Sequence, residues 1–182
     1  MFEQYLIDHC SPTLARLKTA NLFRLPFDRQ ENADAFLAPW NALLGERGVE
    51  LTVLSRDETG MLVYVFRRKR LRQDLAAPGV PPFLADYGYS TNPDAALDRL
   101  RERFAECGSV PHEIGLFLGY PLGDVTGFIR HKGRNCRYSG CWKVYCNEEE
   151  TLRAFARFKK CREVYRRLWQ DGRSIRKLTV AA

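Results

Sequence analysis

The sequence predicts an α+β fold in one domain, residues 1–182, mostly helical, with a small β-sheet that includes a hairpin near 49–67 and a strand near 138–146. Three observations carry this prediction. Cap-then-proline signatures and one capping box open helical stripes with three- and four-residue steps. The period changes to β-rich runs after Gly48 and again after Arg137. No linker, repeat or low-complexity stretch divides the chain, and its 182 residues, 45% hydrophobic and 28% charged, suffice to bury roughly 70% of the unfolded surface without disulfides or metal. Composition excludes collagen-like, disordered and coiled-coil classes.

The elements follow in order. Residues 3–9 read as a short helix, and Ser11-Pro12 as the N-cap and first residue of a second helix through about Lys18. A third runs from Asp34 to Glu46. Leu51, Val53 and then Met61 to Phe66 are β-rich around the turn signal Arg56–Gly60, which predicts a hairpin. Basic residues at 67–72 lead into a short helix and a loop with Pro78, Pro81 and Pro82. Asn92-Pro93-Asp94 caps a helix whose stripe is Ala96, Leu97, Leu100 and Phe104, ending near Gly108. Residues 111–119 are too short an apolar run to reveal their period, so helix and strand both stay open. Pro121 opens a helix with Asp124 in its first turn and His131 and Lys132 in its last, each charge complementing the helix dipole. Tyr138 to Tyr145 read as a strand. Asn147 and Glu150 then occupy the capping-box positions of the longest helix, with an inner face of Leu152, Phe155, Phe158, Cys161, Tyr165 and Leu168.

Several motifs fail on spacing. The six cysteines (Cys10, Cys107, Cys136, Cys141, Cys146 and Cys161) contain no C-x-x-C pair. Cys136, Cys141 and Cys146 stand five apart, a step that regular structure does not converge on one metal. His112-Glu113 lacks the second histidine of H-E-x-x-H, since position 116 is Leu, so no metal site is predicted. Gly115, Gly119, Gly123 and Gly127 match neither a phosphate loop nor a dinucleotide fingerprint, and close packing or turns account for them. No apolar run approaches the ~18–20 residues of a membrane span, and the first ten residues lack a secretory pattern, so the expected address is the cytoplasm.

Three runs, HCSPTLARLKTANLF at 9–23, PHEIGLFLGYPLGDVTGFIRHKG at 111–133 and GCWKVY at 140–145, resemble the bacterial domain-of-unknown-function family 3793 over essentially the whole chain. The resemblance implies no reaction. It implies an anaerobe-associated setting near flavodoxin or iron-uptake genes, and no requirement for cysteine at 136, 141 and 146.

Three functional readings follow. The first is a thiol-dependent enzyme or redox-active protein using Cys10: if Ser11 caps a helix, Cys10 lies beside its positive end, which favours thiolate. His112 and Glu113 are then the candidate base and helper, or Glu113 is itself the acid–base group, and space filling at a helix junction is the alternative for Cys10. The second reading is a noncatalytic binder of an anionic cofactor or acidic redox partner: an acidic flavodoxin, a nucleotide or a propionate-bearing tetrapyrrole. Its candidate ligand-binding residues are Lys18, Asn21, Tyr120, Trp142 and Lys143. Lys+Arg 29 against Asp+Glu 22 gives a net charge of +7, and ten cations between 151 and 178 form a basic helical face that attracts anions. The third reading, a nucleic-acid binder, rests on that charge alone, without a recognised motif. The identity of any cofactor is left open.

Overall fold

The computed structural model describes residues 2–28 and 30–182. Its centre is a three-stranded antiparallel sheet in the order β1-β3-β2, formed by β1 (Ala20–Leu25), β2 (Glu50–Asp57) and β3 (Gly60–Phe66). The hairpin pairs Glu50 with Phe66 and Asp57 with Gly60, as the turn signal predicts. Strand β1, which the sequence reading did not foresee, adds to the other side of β3 with Ala20 opposite Phe66 and Leu25 opposite Met61. Being central, β3 is buried on both faces, which is why GMLVYVF reads as a continuous apolar run rather than an alternation.

Each face carries its own core. On one side Ala20, Tyr64 and Phe66 pack against α3 (Arg68–Leu75), α4 (Val80–Ala85), α5 (Pro93–Cys107), α6 (Ile114–Phe117) and α7 (Leu122–His131). Tyr64 is fully buried and donates its hydroxyl to the Phe117 carbonyl at 2.5 Å; burying each large ring here contributes about 1.5–3 kcal/mol. On the other side Phe23, Met61, Val63 and Val65 pack against α1 (Phe2–Leu14), α2 (Ala33–Gly45) and α9 (Ile175–Leu178). Helix α8 (Glu148–Gln170) has 23 residues, a length of about 34 Å. Its Leu152, Phe155 and Phe158 join the first core, and its Tyr165, Leu168 and Trp169 the second. It therefore passes along the β1 side of the sheet and closes both layers.

Where Ser11-Pro12 predicts a break, α1 continues through Leu14 with Pro12 inside it. The stripe Leu6, Ile7, Cys10 and Leu14 keeps one face buried across the proline, and Ser11 is no cap: its hydroxyl donates back to the Ile7 carbonyl. The helix ends at Leu14, and Arg16 just beyond it takes φ 60°. The Pro78–Pro82 loop contains α4, entered through the left-handed Gly79. Helix α5 matches its expected bounds, with Asn92 Oδ1 accepting from the Asp94 and Ala95 amides. Residues 111–119 resolve as the single turn α6. The 138–145 run folds back on itself as a ribbon of β4 (Tyr138–Ser139) and β5 (Lys143–Val144). No capping box forms at α8; Asn147 sits in the left-handed region without a side-chain cap bond, while Glu148, Glu149 and Glu150 complement the helix dipole.

The ribbon docks on glycines. A Cβ at Gly115 would lie 2.6 Å from Trp142 Cζ2, one at Gly123 2.7 Å from Cys146 Sγ, and one at Gly127 2.5 Å from Tyr145 Cγ. Three of the four regularly spaced glycines thus make room for the ribbon side chains, and buried Asp124 adds Oδ1 as acceptor for the Tyr145 and Cys146 amides at 2.7 and 2.9 Å. At the end of α1, buried Arg67 gathers main-chain carbonyls: Nε donates to Thr13 at 2.7 Å, and Nη2 to Leu14 and Val180 at 2.7 Å each. It thereby satisfies the C-terminal end of α1 with a cation, where the dipole favours one.

Candidate functional site

The three candidate catalytic residues do not meet. Cys10 is fully buried in the core beneath α1, and burial pushes its thiol far up, against a smaller opposing influence from Lys18. Because α1 is continuous, Cys10 is not at a helix start, and the electrostatic argument for a thiolate is lost. Glu113 is 1% exposed on the opposite side of the sheet, where its Oε1 accepts from Arg103 Nε at 2.8 Å and from the Tyr89 hydroxyl at 3.1 Å. That is a buried ion pair joining α5 to the turn before α6. His112 is exposed, edge-on to Phe128 with ring centroids 4.9 Å apart.

Three of the five candidate ligand-binding residues do converge. Lys18, Asn21 and Tyr120 line a cavity of about 270 Å³ between α1, β1, the Leu118–Tyr120 segment and α8, with His9, Cys141 and Arg162 completing its polar wall. Lys18 reaches it from the loop between α1 and β1. It is 7% exposed, and among the described residues no carboxylate or hydrogen-bond acceptor pairs with its Nζ, which lies 4.5 Å from the centroid of the Tyr120 ring. Desolvation lowers its pKa to about 8, and the positive charge of Arg162 acts in the same direction. Asn21 Oδ1 accepts from Thr13 Oγ1 at 2.7 Å, which leaves the amide nitrogen to donate. Arg162 projects from α8 one helical turn beyond Phe158, with Nη2 3.9 Å from Cys141 Sγ. His9 clusters with Tyr5 and Phe23, each pair of rings 5.6–6.0 Å apart, and burial holds its imidazole below the usual value.

Trp142 stands behind this wall. Its ring stacks on Tyr120 at 4.6 Å and 12°, fixing the phenol plane, and its Nε1 is buried without a partner. Lys143 points elsewhere: its Nζ donates to the Gly133 carbonyl at 2.6 Å and steadies the end of α7. Among the described residues no cluster of three or more His, Cys, Asp or Glu is placed to hold a metal. No helix there is long and apolar enough to cross a membrane.

Residues 6–179 match the family described as "Protein of unknown function (DUF3793)". The chain belongs to this family. The DUF3793 match takes in every residue that lines the cavity. No curated protein and no solved structure matches the chain.

Proposed function

We propose that this DUF3793 protein binds a small anionic ligand in the cavity between α1, β1 and α8. The observation that carries this reading is Lys18: a lysine 93% removed from solvent, without a counter-ion among the described residues, opening on a cavity that Arg162 also lines. A cation buried without a partner is costly. An anion between Lys18 and Arg162 removes that cost, the Asn21 amide supplies a directional donor, and the Tyr120–Trp142 stack offers a flat apolar wall. This is the makeup of a small-molecule site: a concave apolar surface with a few convergent polar groups. A thiol reaction at Cys10 has weaker support, because the sulfur is buried and held protonated.

Thermal unfolding with inorganic phosphate, citrate or glyoxylate at constant ionic strength tests the proposal. A ligand at 100 times its Kd stabilises by about 2.7 kcal/mol. At least one anion is expected to raise Tm of the wild type, with the rise lost in Lys18→Met and Arg162→Met. Equal responses from all three proteins to every anion would count against the cavity.

A further inference from the structure

We infer that Lys18 captures its ligand covalently, as an imine with the carbonyl carbon of a small aldehyde or keto acid whose carboxylate pairs with Arg162. This rests on the anion-binding reading and assigns the ligand a chemical class.

The argument begins with what a purely ionic site needs. Charge pairing is served best by a group that keeps its proton, as Arg162 does. Lys18 is placed the other way, enclosed by the Tyr120 ring, Leu118 and Phe158 with no carboxylate to hold its charge. Such surroundings favour the neutral amine, the nucleophilic form. The groups that face it are Cys10, Cys141, Tyr120, Arg162 and His9. Burial keeps Cys10 and Tyr120 in their neutral, protonated forms, Arg162 opposes the ammonium, and His9 is held toward its neutral form. At pH 7.5 an amine with a pKa of about 8 is neutral about 200 times more often than an ordinary lysine.

The chemistry balances within the site. The ammonium gives up one proton, and the nitrogen lone pair attacks the carbonyl carbon as the C–O π electrons move to oxygen. Oxygen takes a proton from the nitrogen, giving the carbinolamine. Protonation of that hydroxyl by the proton first released lets it leave as water while the C=N bond forms. The net change joins the ammonium and the carbonyl into a protonated imine and one water, with charge conserved. His9, on the cavity wall, is the group in reach of the cavity that can carry the proton between these steps. Arg162 holds the carboxylate and thereby sets which carbonyl compounds enter.

The test uses the intact protein with glyoxylate and cyanoborohydride, which reduces an imine to a stable secondary amine located by peptide mass spectrometry. At pH 7.5 Lys18 is expected to be modified at least tenfold faster than the exposed Lys159, Lys160 and Lys177, with a midpoint near pH 8. Arg162→Met is expected to erase the preference for glyoxylate over acetaldehyde while Lys18 still reacts. Modification of Lys18 no faster than the exposed lysines overturns the imine, and phosphate-dependent stabilisation of the same sample shows whether anion binding survives without it. Fast reaction with both aldehydes in wild type, together with no stabilisation by phosphate, retains the reactive amine and overturns the carboxylate partner.

Discussion

Replacing Lys18 by Met is expected to stabilise the protein, an unusual outcome for a buried position. Folding moves the Lys18 pKa from 10.5 to about 8, which corresponds to about 3 kcal/mol of lost stability while the side chain is protonated in both states. Losing the cation's contact with the Tyr120 ring, 4.5 Å away, takes back about 1 kcal/mol, so Lys18→Met gains about 2 kcal/mol at pH 7. For a chain of this size that is roughly 4–8 °C in Tm. The sign follows from proton counting: below pH 8 both states hold the proton and the full cost is present. Between 8 and 10.5 the unfolded chain keeps a proton that the folded chain has released, so wild-type stability rises with pH relative to the variant. Urea unfolding of the two proteins side by side from pH 6.5 to 9.5 isolates this lysine, since all other groups are common to both. The variant's advantage is expected to shrink by at least half across that range. A variant less stable than wild type at pH 7, or an advantage that does not change with pH, would refute the reasoning.

Other perturbations separate structural roles from functional ones. Iodoacetamide at pH 7.5 is expected to alkylate exposed Cys107 and Cys141 of the native protein and leave Cys10 silent until unfolding; early labelling of Cys10 would reopen its thiolate. Glu113→Ala removes the carboxylate that Arg103 and the Tyr89 hydroxyl share while leaving Arg103 its contact with Glu106; it is expected to cost about 1–3 kcal/mol in urea unfolding without slowing modification of Lys18, and no measurable loss would deny the pair its role. Gly115→Ala drives a methyl to within 2.6 Å of Trp142 and Val125, with an expected cost of about 1–3 kcal/mol. Loosening of the ribbon would show as a change in Trp142 fluorescence, and an unaltered spectrum and stability would mean that the close approach is easily relieved.

Local signals in the sequence report local structure faithfully. Asn92-Pro93 starts α5 because the asparagine side chain satisfies two free amides there, and the Arg56–Gly60 turn sets the hairpin because the flanking runs are β-rich. Ser11-Pro12 misleads because the same residues suit the last turn of a helix whose buried stripe outweighs one missing N–H. Strand β1 is hidden since ANLFRL is short and only its pairing with β3 makes it a strand. At the site, Lys18, Asn21 and Tyr120 are among the residues that the sequence nominates, whereas Arg162 reads as part of a solvated basic face. Its direction depends on how α8 crosses from one core to the other: the inner stripe passes from Phe158 to Tyr165, and Arg162 falls at the changeover, over the cavity. His112 and Glu113 are adjacent in a suggestive pair, yet one faces solvent and the other is locked to Arg103, a distinction that only tertiary packing makes.

The carbonyls collected by Arg67 come from places far apart along the chain. Its guanidinium bonds the end of α1 at Thr13 and Leu14 and also Val180, whose own amide donates to Leu14 at 2.9 Å. The full set forms only when the hairpin that carries Arg67, the first helix and the segment at Val180 have come together, across sequence separations of 53 and 113 residues. Loop closure of that length is entropically unfavourable and is repaid only once the contacts exist. Contacts of such long range are expected to form late in folding, so that strengthening this junction slows unfolding more than it speeds folding, and the Arg67 guanidinium then acts as a clasp on the folded state rather than as a guide toward it.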